Sequence, residues 1–178
     1  MPKVLGVDPG VHGGLAIVSV GNISVGNGDD GAVAVPSIIV DAIDIPVAGA
    51  GAKERVDVLA IRGWITNHGP GLIALIERAQ AMPGQGASSG FKYGRAVGAI
   101  EAVIALCGVP LTIVEPTAWK KFHALRGKDK ELSRQRALQL FPAAHALLAH
   151  KKDHGRAEAM LVALYGAYTN GTCTQSCR

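Results

Sequence analysis

The chain has 178 residues, of which 48% are hydrophobic and 18% charged. That is enough for one domain with a full core, too short for two, and too apolar for a disordered chain. The formal net charge of +4 permits a nucleic-acid partner, while the interrupted apolar runs exclude a bilayer-spanning helix and an opening signal peptide.

Lys3 to Val7 reads as a short buried strand that ends on Asp8. Pro9-Gly10 turns the chain, and Gly13 to Val20 returns as the second strand of a hairpin. Gly21 to Gly31, rich in Gly and Asn, reads as a loose loop. Ala32 to Val40, extended toward Ile45, is a third strand. Pro36 and Pro46 make it an edge strand or an interrupted one. Gly49 to Gly51 is a flexible link. Lys53 to Asn67 is a helix with Val56, Leu59, Ala60 and Trp64 on its apolar side, ended by Asn67, His68 and Gly69. Trp64 is assigned to core packing.

Leu72 to Ile76 is another buried strand, and it too ends on an acid, Glu77. A carboxylate at the tip of a buried strand is costly unless a cation or donor compensates it. A loop of Gly, Ser and Gln follows from Gln80 to Gly90. A helix then runs from Phe91 to Cys107, with Lys92 and Arg95 in its first turns. Gly94, Gly98 and Ala102 lie one turn apart and suit a close partner, either the sheet or a second subunit. Leu111 to Val114 is a short strand. Thr117 can cap the helix that carries Trp119, Lys120 and Lys121. A basic loop, Arg126 to Lys130, leads to a helix that ends at Phe141 before Pro142. Ala143 to Ala149 is a short helical piece, and Asp153 or His154 starts the last helix, which runs to about Tyr168. The expected domain is 1–169, with 170–178 a flexible tail. Cys107 reads as a small core residue, and Cys173 and Cys177 in the tail lack a His for a zinc site. Three cysteines make no disulfide framework, which fits a reducing cytoplasm.

A hairpin followed by βαβα units implies a mixed sheet with helices on its faces, where ligands gather at strand ends. Asp8 and Glu77 are therefore expected to meet. Clustered carboxylates select hard cations such as Mg²⁺, with Mn²⁺ as substitute. Two such ions about 4 Å apart activate a water and stabilise the leaving oxygen in phosphodiester hydrolysis. The third acidic position is KKDHGRAEAMLVALYG at 151–166, with Asp153 at the helix start and Glu158 in its opening turns.

These residues carry a resemblance. VLGVDPGVHGGLAIV at 4–18, IERAQAMPGQGASSGFKYGRAVG at 76–98, VEPTAWKKFHAL at 114–125 and KKDHGRAEAMLVALYG together resemble the RuvC-type Holliday junction resolvases, and most closely their bacteriophage branch. The resemblance implies a ribonuclease-H-like α/β fold: a five-stranded mixed sheet, its second strand antiparallel, flanked by helices. It implies a homodimer that cuts four-way DNA junctions, with no membrane and no nucleotide cofactor. It places the metal carboxylates at Asp8, Glu77 and the acids of the last helix. There the spacing departs from the best-known bacterial members, so either Asp153 with Glu158, or His154 with Glu158, completes the set. The two-acid pairing is favoured for Mg²⁺. It has Asp153 as the helix N-cap and Glu158 pointing back toward it. His154 or Lys152 would steer the water or neutralise the scissile phosphate, unless both are simply a solvated helix start.

The expected DNA surface is Gln80, Gln85, Ser88, Ser89, Lys92, Arg95, Lys120, Lys121, Arg126 and Lys128. Met82 and Phe91 either probe the junction centre or only pack. Two other readings stand beside this one. A non-catalytic junction-binding protein would normally lack one of Asp8, Glu77 and Asp153. An actin-like ATPase would need a second such domain.

Overall fold

The computed structural model describes residues 3–26, 32–80, 84, 86–125 and 130–170. The expectations for Met82, Gln85, Arg126, Lys128, Cys173, Cys177 and the tail beyond 170 lie outside the described residues.

Three strands open the chain: β1 (Lys3–Asp8), β2 (Gly14–Gly26) and β3 (Ala32–Asp44). β1 pairs antiparallel with β2, and β2 with β3 along its whole length, from Gly14↔Asp44 to Gly26↔Ala32. The loop expected from Gly21 is therefore strand as far as Gly26. Ile23 and Val25 alternate as strand residues do, and that pattern outweighs the Gly and Asn around them. After β3 a small ribbon forms from β4 (Val47–Ala48) and β5 (Arg55–Val56). This ribbon takes up the first part of the helix expected from Lys53.

Helix α1 spans Val58–Asn67 and starts where the Asp57 carboxylate accepts from the N–H groups of Leu59 and Ala60. Its buried residues are Ile61 and Ile65, one turn apart. Leu59, expected to be buried, is 75% exposed. Strand β6 (Leu72–Glu77) runs parallel to β1, and β7 (Leu111–Val114) parallel to β6. The sheet order is β3-β2-β1-β6-β7, a five-stranded mixed sheet with β3 at one edge as expected.

Between β6 and β7 lies α2 (Ala87–Leu106), which starts four residues before Phe91. α3 (Pro116–Phe122) begins with Glu115 at the N-cap and Pro116 at the first helical position. Thr117 is not its cap. α4 (Lys130–Leu140), 3₁₀ turns at Pro142–Leu148 and Lys151–Asp153, and α5 (His154–Thr169) complete the fold.

Strand alternation divides the core in two. Leu5, Val7, Leu15, Ile17, Ala74 and Ile76 face α1 and α2, whereas Val4, Ala16, Val18 and Leu75 face α5 with α3 and α4 behind it. A central strand covered on both faces needs no polar side, which is why β1 and β6 read as continuous apolar runs. α5 lies directly on the sheet. A Cβ on Gly6 would come 2.0 Å from the carbonyl oxygen of Ala159, and one on Gly14 2.5 Å from the backbone of Gly155. Among the described residues no helix is long and apolar enough to cross a membrane.

Candidate active site

The register sets the centre of the site. Val7 pairs with Ile76 in the parallel β1–β6 ladder, so the next residues, Asp8 and Glu77, end adjacent strands side by side. Both are half-buried. Alternation continues Val4, Gly6 and Leu75 onto Asp8 and Glu77, toward the α5 face. The turn after Asp8 is tight: Gly13 N–H donates to the Gly10 carbonyl at 3.1 Å, and Gly10 has φ +124°, a conformation that favours glycine.

Tyr93, on α2, closes the other side. A Cβ on Gly10 would stand 3.3 Å from Cε2 of its ring. Burial pushes the Tyr93 hydroxyl up to about 12, and the negative charges of Asp8 and Glu77 push in the same direction. Both carboxylates therefore bear on one phenol, which stays neutral at physiological pH. Glu77 is also held from α3, where the fully buried Trp119 donates its indole N–H to Oε2 at 2.7 Å.

The acids of the last helix have partners of their own. Glu158 accepts from the Ser133 hydroxyl at 3.1 Å and lies 4.0 Å from Lys120 Nζ. Asp153 is 1% exposed and accepts from the His150 N–H at 2.7 Å and from Arg156 Nη2 at 2.5 Å. Arg156 Nε in turn lies 2.9 Å from Asp44, an ion pair without hydrogen-bond alignment. Asp153 thus occupies the N-cap position of α5 but caps the 3₁₀ turn before it, not the helix. His154 Nδ1 lies 3.4 Å from the Lys151 carbonyl, within its own turn, and Lys152 is exposed.

Among the described residues no three His, Cys, Asp or Glu side chains stand together as a metal-binding group. The donor chemistry of the Asp8–Glu77 pair does suit a hard cation: two adjacent carboxylates with a neutral phenol against them. Asp153 and Glu158 are engaged by Arg156, Ser133 and Lys120, and both contacts of Glu158 are to Oε1.

A cavity of about 680 Å³ opens beside Asp8, between the turn at 9–13, the 51–58 segment and α2. Ser89, Lys92 and Arg95 of the expected DNA surface line it. So do His12 and Arg55, which the sequence did not single out. Arg55 escaped notice because it lay inside the helix expected from Lys53. Gln80, Ser88 and Lys121 are exposed outside the cavity, and Lys120 belongs to the Glu158 side. Tyr93 and Trp119 were likewise missed as site residues: their contacts reach the acids across the fold, and no local pattern marks them.

No family model matches the chain. A chloroplastic Holliday junction resolvase, MOC1, from Chlamydomonas reinhardtii is 30% identical over 105 residues, 57% of this chain but only 11% of that protein. The chain thus spans about a tenth of that relative's length. Among solved structures, Thermus thermophilus RuvC in complex with a Holliday junction substrate superposes with a TM-score of 0.56 at 18% identity, covering 96% of each chain. A second T. thermophilus RuvC structure gives 0.53, again at 18% identity over 96% of each. The chain is RuvC-type in fold, ribonuclease-H-like in architecture, and similar in sequence over much of its length to a Holliday junction resolvase.

Proposed function

We propose that this protein is a structure-specific DNA endonuclease of the bacteriophage-like RuvC branch. In this reading it resolves Holliday junctions and related branched DNA by Mg²⁺-dependent phosphodiester hydrolysis, as a homodimer in the cytoplasm, with residues 1–169 forming one nuclease domain. The observation that carries the reading is the placement of Asp8 and Glu77 at neighbouring strand tips of a RuvC-type sheet. Asp8 and Glu77 would hold the metal, with Asp153 or Glu158 recruited from the start of α5. When bound, Mg²⁺ or Mn²⁺, as two ions, supplies an activated water and charge stabilisation at the departing 3′-oxygen.

The protein's own groups do the rest. Lys92, Arg95 and Arg55 place positive charge around the cavity beside Asp8, where a phosphate backbone would otherwise be repelled by the acids. Gln80, Ser88, Ser89, Lys120 and Lys121 extend that surface, and His154 and Lys152 stand at the entrance to α5, available to the scissile phosphate. Such contacts position DNA without reading its sequence.

The dimer is supported by α2. A Cβ on Gly94 or Gly98 would meet no heavy atom within 4 Å, Ala102 is exposed, and Phe91 and Leu106 are 68% and 83% exposed. The sheet is therefore not the partner of this row. Two symmetric cuts need two sites related by a two-fold axis, which a dimer through this face provides.

The test is incubation of the protein and Mg²⁺ with a labelled four-way junction and with a linear duplex. Paired, symmetric nicks in the junction alone are expected. Tight junction binding with no cleavage in Mg²⁺ or Mn²⁺ would overturn the nuclease reading in favour of a non-catalytic junction binder. Sedimentation as a monomer, both free and on a junction, would overturn the dimer.

A further inference from the structure

Helix α3 has only seven residues, yet two neighbours on it reach two acids on different elements. Lys120 stands 4.0 Å from Glu158 and 5.1 Å from the Trp119 ring centroid. Trp119 is 0% exposed and bonds to Glu77 at 2.7 Å across 42 residues of sequence. An indole has one donor and no acceptor, and when enclosed it needs one partner. Here that partner is a carboxylate at the tip of β6, so the bond is charge-assisted and stronger than a neutral one. A glutamate has three side-chain torsions to order before both its oxygens take fixed places. The rest of Trp119 is locked among the residues of the α5-side core, which include Val114, Phe141 and Leu161, so its N–H is a fixed point. The same Glu77 carboxylate bears with Asp8 on the Tyr93 hydroxyl.

We propose that Trp119 is a positioning residue for Glu77, its indole N–H holding one carboxylate oxygen so that the group meets a cation in a single orientation. The proposal rests on Glu77 being a metal ligand. It predicts that the N–H itself matters, beyond the bulk of the ring. Removing an outer partner of a metal ligand costs about 10- to 100-fold in affinity or activity.

The experiment compares the wild-type protein with Trp119→Phe, and with a variant carrying benzothienylalanine at 119, which keeps the bicyclic shape and replaces the N–H by sulfur. Mn²⁺ affinity is measured by calorimetry without DNA, junction affinity in Ca²⁺, and cleavage across a Mn²⁺ titration. The expected result is Mn²⁺ affinity weakened about tenfold or more in both variants. The Mn²⁺ midpoint for cleavage should rise with it, while junction affinity stays within twofold. Should Trp119→Phe fold poorly, the isosteric variant decides. Wild-type Mn²⁺ affinity and cleavage in the isosteric variant would overturn the proposal while leaving the nuclease reading intact. A wild-type protein that neither binds Mn²⁺ nor cuts junctions would instead sink the metal reading itself, and this proposal with it.

Discussion

At the residue scale, Asp8 and Glu77 are expected to be replaceable in shape but not in charge. Asp8→Asn and Glu77→Gln should each abolish junction cleavage while gel-shift affinity for the junction stays largely intact, because affinity comes from the basic surface. Near-normal cleavage by either variant would remove the metal-site assignment. These two acids were legible because each ends an apolar run, and a carboxylate there is either compensated or absent. Asp153 was legible as the residue at the helix start, but not in its bonding. Its partners are Arg156 and the His150 N–H, and Arg156 also reaches Asp44 on β3. No spacing rule gives a three-way link of that kind. Asp153→Ser removes the charge from a buried pair and leaves Arg156 without it, a loss on the order of 3 kcal/mol in denaturant unfolding. The same variant decides its second role. If it cleaves junctions at near wild-type rate in Mg²⁺, Asp153 is structural only, and Glu158, with His154, must complete the metal set.

At the element scale, the fold depends on how closely α5 lies on the hairpin. Gly6, Gly13, Gly14 and Gly155 all stand where a Cβ would enter neighbouring backbone. The sequence showed these glycines as turn and motif residues. It did not show that Gly6, in mid-strand, is the point where the helix crosses β1, since that depends on a contact with Ala159 and Ala163. Gly6→Ala should therefore destabilise at or above the upper end of the roughly 1–3 kcal/mol typical of overpacking. Gly94→Ala, in open space on a helix, should be neutral or stabilising by up to about 1 kcal/mol for the monomer. Paired urea titrations check the contrast, and equal midpoints for the two variants would contradict the packing described. Helix boundaries were the weaker part of the sequence reading. The β4–β5 ribbon displaced the start of α1, because pairing between Val47 and Val56 is not a feature of either two-residue segment alone.

For the whole molecule, the pH dependence of stability should carry the mark of one histidine. His123 is 2% exposed, between the end of α3 and α5, and its Nε2 lies 2.8 Å from the Leu161 carbonyl. Burial pulls its pKa down to about 4; the Leu161 carbonyl opposes that shift, and the positive charge of Arg136 adds to it. The ring is thus neutral in the folded protein and donates from Nε2. The unfolded chain takes up a proton near pH 6.5, where the folded one refuses it. Between about pH 6.5 and pH 4 the unfolded state binds more protons, so stability falls as pH falls through that window. Integrated over the window, the loss is on the order of 3 kcal/mol. Its structural expression would be the parting of α3 from α5, which carries Trp119 away from β6 as well. His123→Gln keeps an N–H donor for Leu161 and cannot titrate. Thermal unfolding of both proteins at pH 7.5 and pH 4.5 should show a larger drop for the wild type. Whatever the variant costs at pH 7.5, the stability difference between the two proteins should shift in the variant's favour at pH 4.5. A drop of the same size in both would mean that acid sensitivity comes from the carboxylates and that His123 has no part in it.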